Sequence, residues 1–206
     1  MAAKKAVKVK ESEELSDNNI EKVIGLLSAD KPCTKKDACA VLRITYNTTR
    51  LQSIIDNYLE KKAREQRLRA EKSHKPATGA EIQFVIQEYL TGQPVSTIAD
   101  SLYRSASFVD KILTRCAVPR RCMGWSYFTP ELIPELSRKE EFSVGEKVWS
   151  ARYESLATIK SEVKNQKYPS KVYAVYLDDE KWQQNAYQPA EELASLDHLI
   201  KYGVKI

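Results

Sequence analysis

The stretch Ser96–Leu113, STIADSLYRSASFVDKIL, reads as two short helices placed back to back. Ile98, Ala99 and Leu102, then Val109 and Ile112, recur at helical steps, and Tyr103, Arg104 and Ser105 interrupt them. A two-turn helix followed at once by another needs a small residue where the two cross, and Ala99 fills that place. Ile98, Leu102, Val109 and Ile112 then face one core. The outer side of the second helix carries Ser105, Ala106, Ser107, Asp110, Lys111, Thr114 and Arg115. Small hydroxyl residues at its start allow close approach to phosphates and base edges. Lys111 and Arg115, one turn apart, suit backbone or guanine contacts.

Upstream, Thr78 starts a helix whose inner face is Ile82, Val85, Ile86 and Leu90, and Gly92 ends it. Ser96 is the expected cap of the next helix. Residues 80–116 thus resemble the helix-turn-helix superfamily of DNA-binding proteins, including sigma-factor and recombinase types. Tyr103 stands where that pattern usually has Gly, and Arg104 where it has an apolar residue.

The chain before this group repeats the arrangement. Ser16 or Asp17 caps a helix carrying Ile20, Val23, Ile24 and Leu27. Thr34 caps a second, with Ala38, Val41 and Leu42 inside. A third starts near Asn47 or Thr48 and carries Leu51, Ile54, Ile55 and Leu59. "TKKDACAVLRITYNTTRLQSII" also resembles a helix-turn-helix, with Ala38 or Cys39 at the crossing, Arg43 at the usual Gly and Ile44 after it. Tyr46, Asn47, Thr48 and Arg50 would lead its recognition face, with Lys35 and Lys36 nearby. Past Leu59 the third helix continues to about Lys72 without core residues. Glu60–Arg64, Lys61–Glu65, Glu65–Arg69 and Arg67–Glu71 are (i, i+4) pairs, each contributing about 0.2–0.5 kcal/mol. This extension is a charged spacer, ended by Pro76 and Gly79.

Charge sharpens the picture. The chain has 206 residues and a formal net charge of +5. Residues 1–79 hold 17 Lys/Arg against 11 Asp/Glu, residues 80–137 hold 5 against 6, and residues 138–206 hold 11 against 11. The positive excess is N-terminal, as a phosphate-contacting surface requires.

From Phe142 the pattern changes to period two. "EKVWSAR", "LATIKSEV" and "KVYAVYLDD" read as strands, "QPAEELASLDHLIKYG" as helical turns, and "VKI" as a last strand. This order resembles an SH3-like barrel of the Tudor, chromo or KOW kind. Trp149, Tyr153, Tyr173, Tyr176 and Trp182 would supply its partner-binding surface. The expected fold class is therefore α+β. Residues 1–15 form a disordered arm, 16–75 and 78–121 two tandem three-helix units joined by a long charged helix, 122–141 an aromatic and proline-rich linker, and 142–206 a small SH3-like β-barrel.

Other classes lack support in the sequence. No apolar run nears the roughly 18 residues that span a bilayer, and "MAAKKAVKVKESEE" has no signal-peptide core. A cytoplasmic location is expected (that of the host if the chain is phage-encoded), or a nucleus in a eukaryote. Cys33, Cys39, Cys116 and Cys122 have no zinc-ligand spacing and read as free thiols. No phosphate loop, GxSxG or HExxH occurs, and "LDDE" at 177–180 reads as an acidic hairpin loop. Neither catalysis nor a cofactor or metal is expected.

The resulting expectation is a non-catalytic double-stranded DNA-binding protein, a transcription regulator or architectural factor, of phage or mobile-element type. Lys35, Lys36, Arg43, Arg50, Lys111, Arg115, Arg120 and Arg121 would contact phosphates. Tyr46, Asn47, Thr48, Arg104, Ser105, Ser107 and Thr114 would complete the interface. RNA polymerase, another protein or a second protomer would bind the barrel. The alternatives are a self-assembling viral DNA-packaging protein and an RNA-binding factor that uses the barrel.

Overall fold

The computed structural model describes residues 13–122, 128–164, 169–179, 181 and 185–205. The chain is α+β and divides into two compact units, 1–71 and 72–206. The first contains α1 (Asp17–Leu27), α2 (Lys35–Val41) and nearly all of α3 (Thr48–Lys72). Ile20, Val23, Ala38, Cys39, Leu42, Ile44, Leu51, Ile54, Ile55 and Tyr58 form its buried cluster. Ser16 caps α1, and Thr34 with Asp37 closes a reciprocal capping box on α2. Buried residues of α3 end at Tyr58. Just beyond, Lys61 and Lys62 reach back to Asp17 at 2.9 and 3.8 Å.

The second unit begins with α4 (Gly79–Leu90), α5 (Val95–Leu102) and α6 (Ala106–Arg115). Thr78 and Glu81 form the capping box of α4. α5 starts two residues earlier than expected: Pro94 is its N-cap, without a side-chain cap, and Ser96 lies inside the helix. Proline suits that end, where a missing N–H removes no helical bond.

Four helices end in the same backbone device. Arg43, Gly92, Tyr103 and Ala117 have φ of 50°, 103°, 54° and 53°. In each case the next N–H returns to the carbonyl five residues back: Ile44 to Cys39, Gln93 to Glu88, Arg104 to Ala99 and Val118 to Leu113, at 2.9–3.0 Å. This is the Schellman closure. The positions usually given to Gly, Arg43 and Tyr103, do adopt the left-handed conformation, despite a Cβ penalty of order 1–2 kcal/mol.

The strands are β1 (Lys147–Ser150), β2 (Ser155–Val163), β3 (Val172–Leu177), β4 (Asn185–Pro189) and β5 (Leu193–Ser195), all antiparallel in the order β4-β3-β2-β1-β5. The expected closed barrel is instead an open sheet, since β4 and β5 are its two edges. It is nevertheless strongly curled. Four flat strand spacings span about 19 Å, while the four-residue step from Pro189 to Leu193 reaches at most about 14 Å. A register irregularity between Ile159 and Ser161 supplies part of the bend. Two expectations fail in this region. Within "QPAEELASLDHLIKYG", expected as helical turns, Ala190–Glu192 and Asp197–Tyr202 are 3-10 turns, but "LAS" between them pairs as β5, and Gln188 and Pro189 at its start belong to β4. Residues 204 and 205 form no strand; Gln83 and Gln87 of α4 bind the backbone of Gly203 and Lys205 at 2.6 and 3.0 Å.

The 122–141 segment does not separate two compact units. Val85, Ile86, Ile98, Val109, Ile112 and Leu113 share one buried cluster with Ile133, Trp149, Ala151, Ala194, Leu196 and Leu199. One face of the sheet therefore packs on the α4–α6 group. The opposite face holds a second cluster built on Val148, Ala157, Ile159, Val175 and Leu177. Phe128 packs at the margin of the first cluster, while Trp125 and Tyr127 lie outside the described residues.

Ala117 has φ of 53° and carries no side chain beyond its methyl group. Ala117→Gly is expected to raise stability by about 0.5–1 kcal/mol, read from the urea midpoint, because the left-handed strain outweighs the added chain entropy. Trp149→Ala empties a fully buried site. It should cost about 3–5 kcal/mol in the same assay.

Candidate nucleic-acid interface

In the first unit Lys35 and Lys36 are exposed at the start of α2, and Tyr46, Asn47 and Thr48 are exposed where α3 begins. Tyr46 is 60% exposed. Asn47 Oδ1 accepts the Arg50 N–H at 2.9 Å, so its side-chain oxygen caps the helix. The two arginines of this turn are already engaged. Arg43 meets Glu14 at 3.0 Å and Arg50 meets Glu13 at 2.7 Å. No motif in the sequence flagged these acidic partners, since they sit in the stretch read as disordered.

In the second unit the cations separate sharply into engaged and free. Arg104 was expected on the exposed face, but it is buried. Its Nε and Nη2 donate to the two carboxylate oxygens of Glu81 at 3.1 and 3.2 Å. Nη1 donates to the carbonyls of Lys72 and Lys75, and the guanidinium lies 4.4 Å from the Phe108 ring centroid. An arginine fits the apolar slot after the turn because its fork is fully partnered and its stem packs.

Arg120 and Arg121 are likewise structural. Arg120 donates to Asp110 Oδ1 at 3.0 Å and to Thr114 Oγ1 at 2.7 Å. Arg121 caps α4 by donating to the carbonyls of Tyr89 and Gly92, and lies 4.3 Å from the Tyr89 centroid. Burial pushes its guanidinium below the usual value, partly offset by the charges of Tyr89 and Glu154. Ser105 caps α6 by accepting from the Phe108 N–H at 3.2 Å. Thr114 is held between Arg120 and the Asp110 carbonyl. Ser107, Lys111 and Arg115 remain exposed on α6. Among the described residues no ion pair engages Lys111 or Arg115.

The aromatic partner surface is largely absorbed into the core. Trp149 and Tyr173 are 0% and 1% exposed, in the two clusters on opposite faces of the sheet. The Tyr173 hydroxyl accepts the Phe142 N–H at 3.0 Å. Tyr153 is half-buried, and burial raises its phenol. Trp182 lies outside the described residues. Tyr176 stays half-exposed with Lys160 5.1 Å from its ring centroid. Tyr187, which the sequence did not single out, is 72% exposed on the neighbouring strand.

Asp178 pairs with Lys147 at 2.6 Å, and Asp179 accepts the Lys181 N–H at 2.9 Å. Among the described residues no group of three or more His, Cys, Asp or Glu side chains is placed to hold a metal ion. All four cysteines are free, three of them buried. No helix among the described residues is long and apolar enough to cross a membrane. No protein-family model, no curated protein and no solved structure matches the chain.

Burial alone would raise the carboxyl of Glu81. The hydrogen bonds from Arg104 and Thr78 and the charges of Arg104 and Lys72 outweigh it and hold the group below its ordinary value. A depressed carboxylate contributes stability above its unfolded pKa, near 4.3, and loses it as pH falls through the folded value. Glu81→Gln should therefore flatten the fall in unfolding midpoint below about pH 4. Arg104→Leu leaves the buried carboxylate without its main partner and should cost about 3–5 kcal/mol at neutral pH.

Proposed function

We propose that the chain is a non-catalytic double-stranded DNA-binding protein with two helix-turn-helix units, acting as a transcription regulator or an architectural factor. Lys111 and Arg115 carry this reading. In a unit where Arg104, Arg120 and Arg121 are all engaged internally, these two cations stand exposed one turn apart on α6, with Ser107 on the same side. Side chains needed for folding find partners within the fold. Cations left without one are available to phosphates or guanine edges.

Two further observations support it. The α2–α3 and α5–α6 turns share one left-handed closure, at Arg43 and Tyr103. The N-terminal third also holds the positive excess. For the strand region we propose an SH3-like fold, on the ground that a curled meander returns its last strand to the first through one 3-10 turn. Tyr176, Tyr187 and Lys160 favour a second reading, in which the open part of the sheet stacks single-stranded RNA.

Fluorescence anisotropy on a random-sequence duplex, from about 50 to 200 mM salt, tests the first reading. Wild-type affinity should fall linearly on logarithmic axes. Lys111→Ala/Arg115→Ala should weaken binding and reduce the slope by about 2. Unchanged binding would remove α6 as the contact surface. Single-strand preference abolished by Tyr176→Ala/Tyr187→Ala would favour the second reading.

A further inference from the structure

The segment that precedes α1 is anchored on the α2–α3 turn. The Glu14 N–H donates to the Leu42 carbonyl at 3.0 Å, and Asn19 Nδ2 donates to the Glu14 carbonyl at 3.3 Å. This places two consecutive carboxylates on the two arginines of the turn. Glu13 meets Arg50 at 2.7 Å with its side chain only 4% exposed, and Glu14 meets Arg43 at 3.0 Å in the open, 44% exposed. Arg43 stands in the turn itself, and Arg50 lies in the first turn of α3 beside the Asn47 cap.

We infer that Arg43 and Arg50 form a phosphate-binding site at the start of α3, and that Glu13 and Glu14 occupy it as an internal competitor. The inference rests on the proposed reading that this turn faces a nucleic-acid backbone. A guanidinium fork donates to carboxylate and phosphate oxygens in the same planar geometry. The two carboxylates thus take the place of two phosphates and neutralise the charge that would attract them. The two pairs differ in how readily they exchange. The exposed Arg43–Glu14 pair is weak and screened. Arg50–Glu13 is partly desolvated and resists exchange more. A polyanion therefore displaces Glu14 first and Glu13 second. The cationic excess of the N-terminal third is held back until such a competitor is present.

The test uses the full chain, isotope-labelled, with inorganic pyrophosphate as the anion and a random-sequence duplex as the nucleic acid. In Glu13→Gln/Glu14→Gln the Arg43 and Arg50 signals should respond to pyrophosphate at concentrations about fivefold lower than in wild type. Arg43→Ala/Arg50→Ala should abolish the response of this region. Duplex affinity of the glutamine variant should rise by a similar factor, with a salt slope steeper by about 2. Glu14→Gln alone alters only the exposed pair. It should give a smaller shift in the same direction if the double variant unfolds. Superimposable pyrophosphate titrations for wild type and the glutamine variants would overturn the inference, whatever the duplex does. Separated titrations with no duplex binding by any form would uphold the anion site and remove the DNA reading.

Discussion

The guanidinium of Arg104 is the point on which the second unit turns. It lies where the α5–α6 connection needs an apolar group, and it is admitted there because its N–H groups have oxygen partners on Glu81 and on the carbonyls of the 72–76 segment. A buried cation without those partners would be strongly destabilising. With them, one residue fastens the start of α4, the chain leading into it and the turn before α6. The capping box of α4 belongs to the same arrangement, since Glu81 also accepts the Thr78 N–H. The outward side of α6 keeps its orientation because the turn beneath it is held in this way.

Both units solve the helix-to-helix turn with one backbone conformation and different side chains. Arg43 and Tyr103 take φ near +50° without being glycine. The Schellman hydrogen bonds and the apolar contacts around them hold that conformation in place. The side chains at the two turns have different surroundings. Arg43 stays in solvent and finds a carboxylate, whereas Tyr103 is half-buried with the Lys72 ammonium 5.9 Å from its ring centroid. The local fold is therefore shared, but the electrostatic surface over each turn is set by what the neighbouring chain supplies.

The sheet shows a related economy of parts. Trp149 packs in the cluster shared with the helices, while Val148 beside it on β1 belongs to the other cluster. Curling the five strands lets a sheet of modest size close one hydrophobic cluster within itself and offer the other face to α4–α6. The aromatic richness of this region is mostly used in that double packing, which leaves Tyr176 and Tyr187 as its outward aromatics among the described residues.

The amino-acid sequence by itself determined the six helices, the cap at Thr34, a first cap at Ser16 or Asp17, the helix start at Thr78, the inner faces built on Val85, Ile86, Val109 and Ile112, and the change to strands after Phe142. Those features follow from local periodicity and capping chemistry, which act within a few residues. The tertiary structure alone decided which charges are free. Arg104, Arg120 and Arg121 resemble Lys111 and Arg115 in sequence, yet the first three are engaged by groups 6 to 32 residues away. It likewise decided that Trp149 and Tyr173 are core, that "NAYQP" and "LAS" are edge strands, and that Glu13 and Glu14 sit on Arg50 and Arg43. A side chain's partner across the fold leaves no period in the sequence, because burial and ion pairing are set by whichever distant segment packs against it.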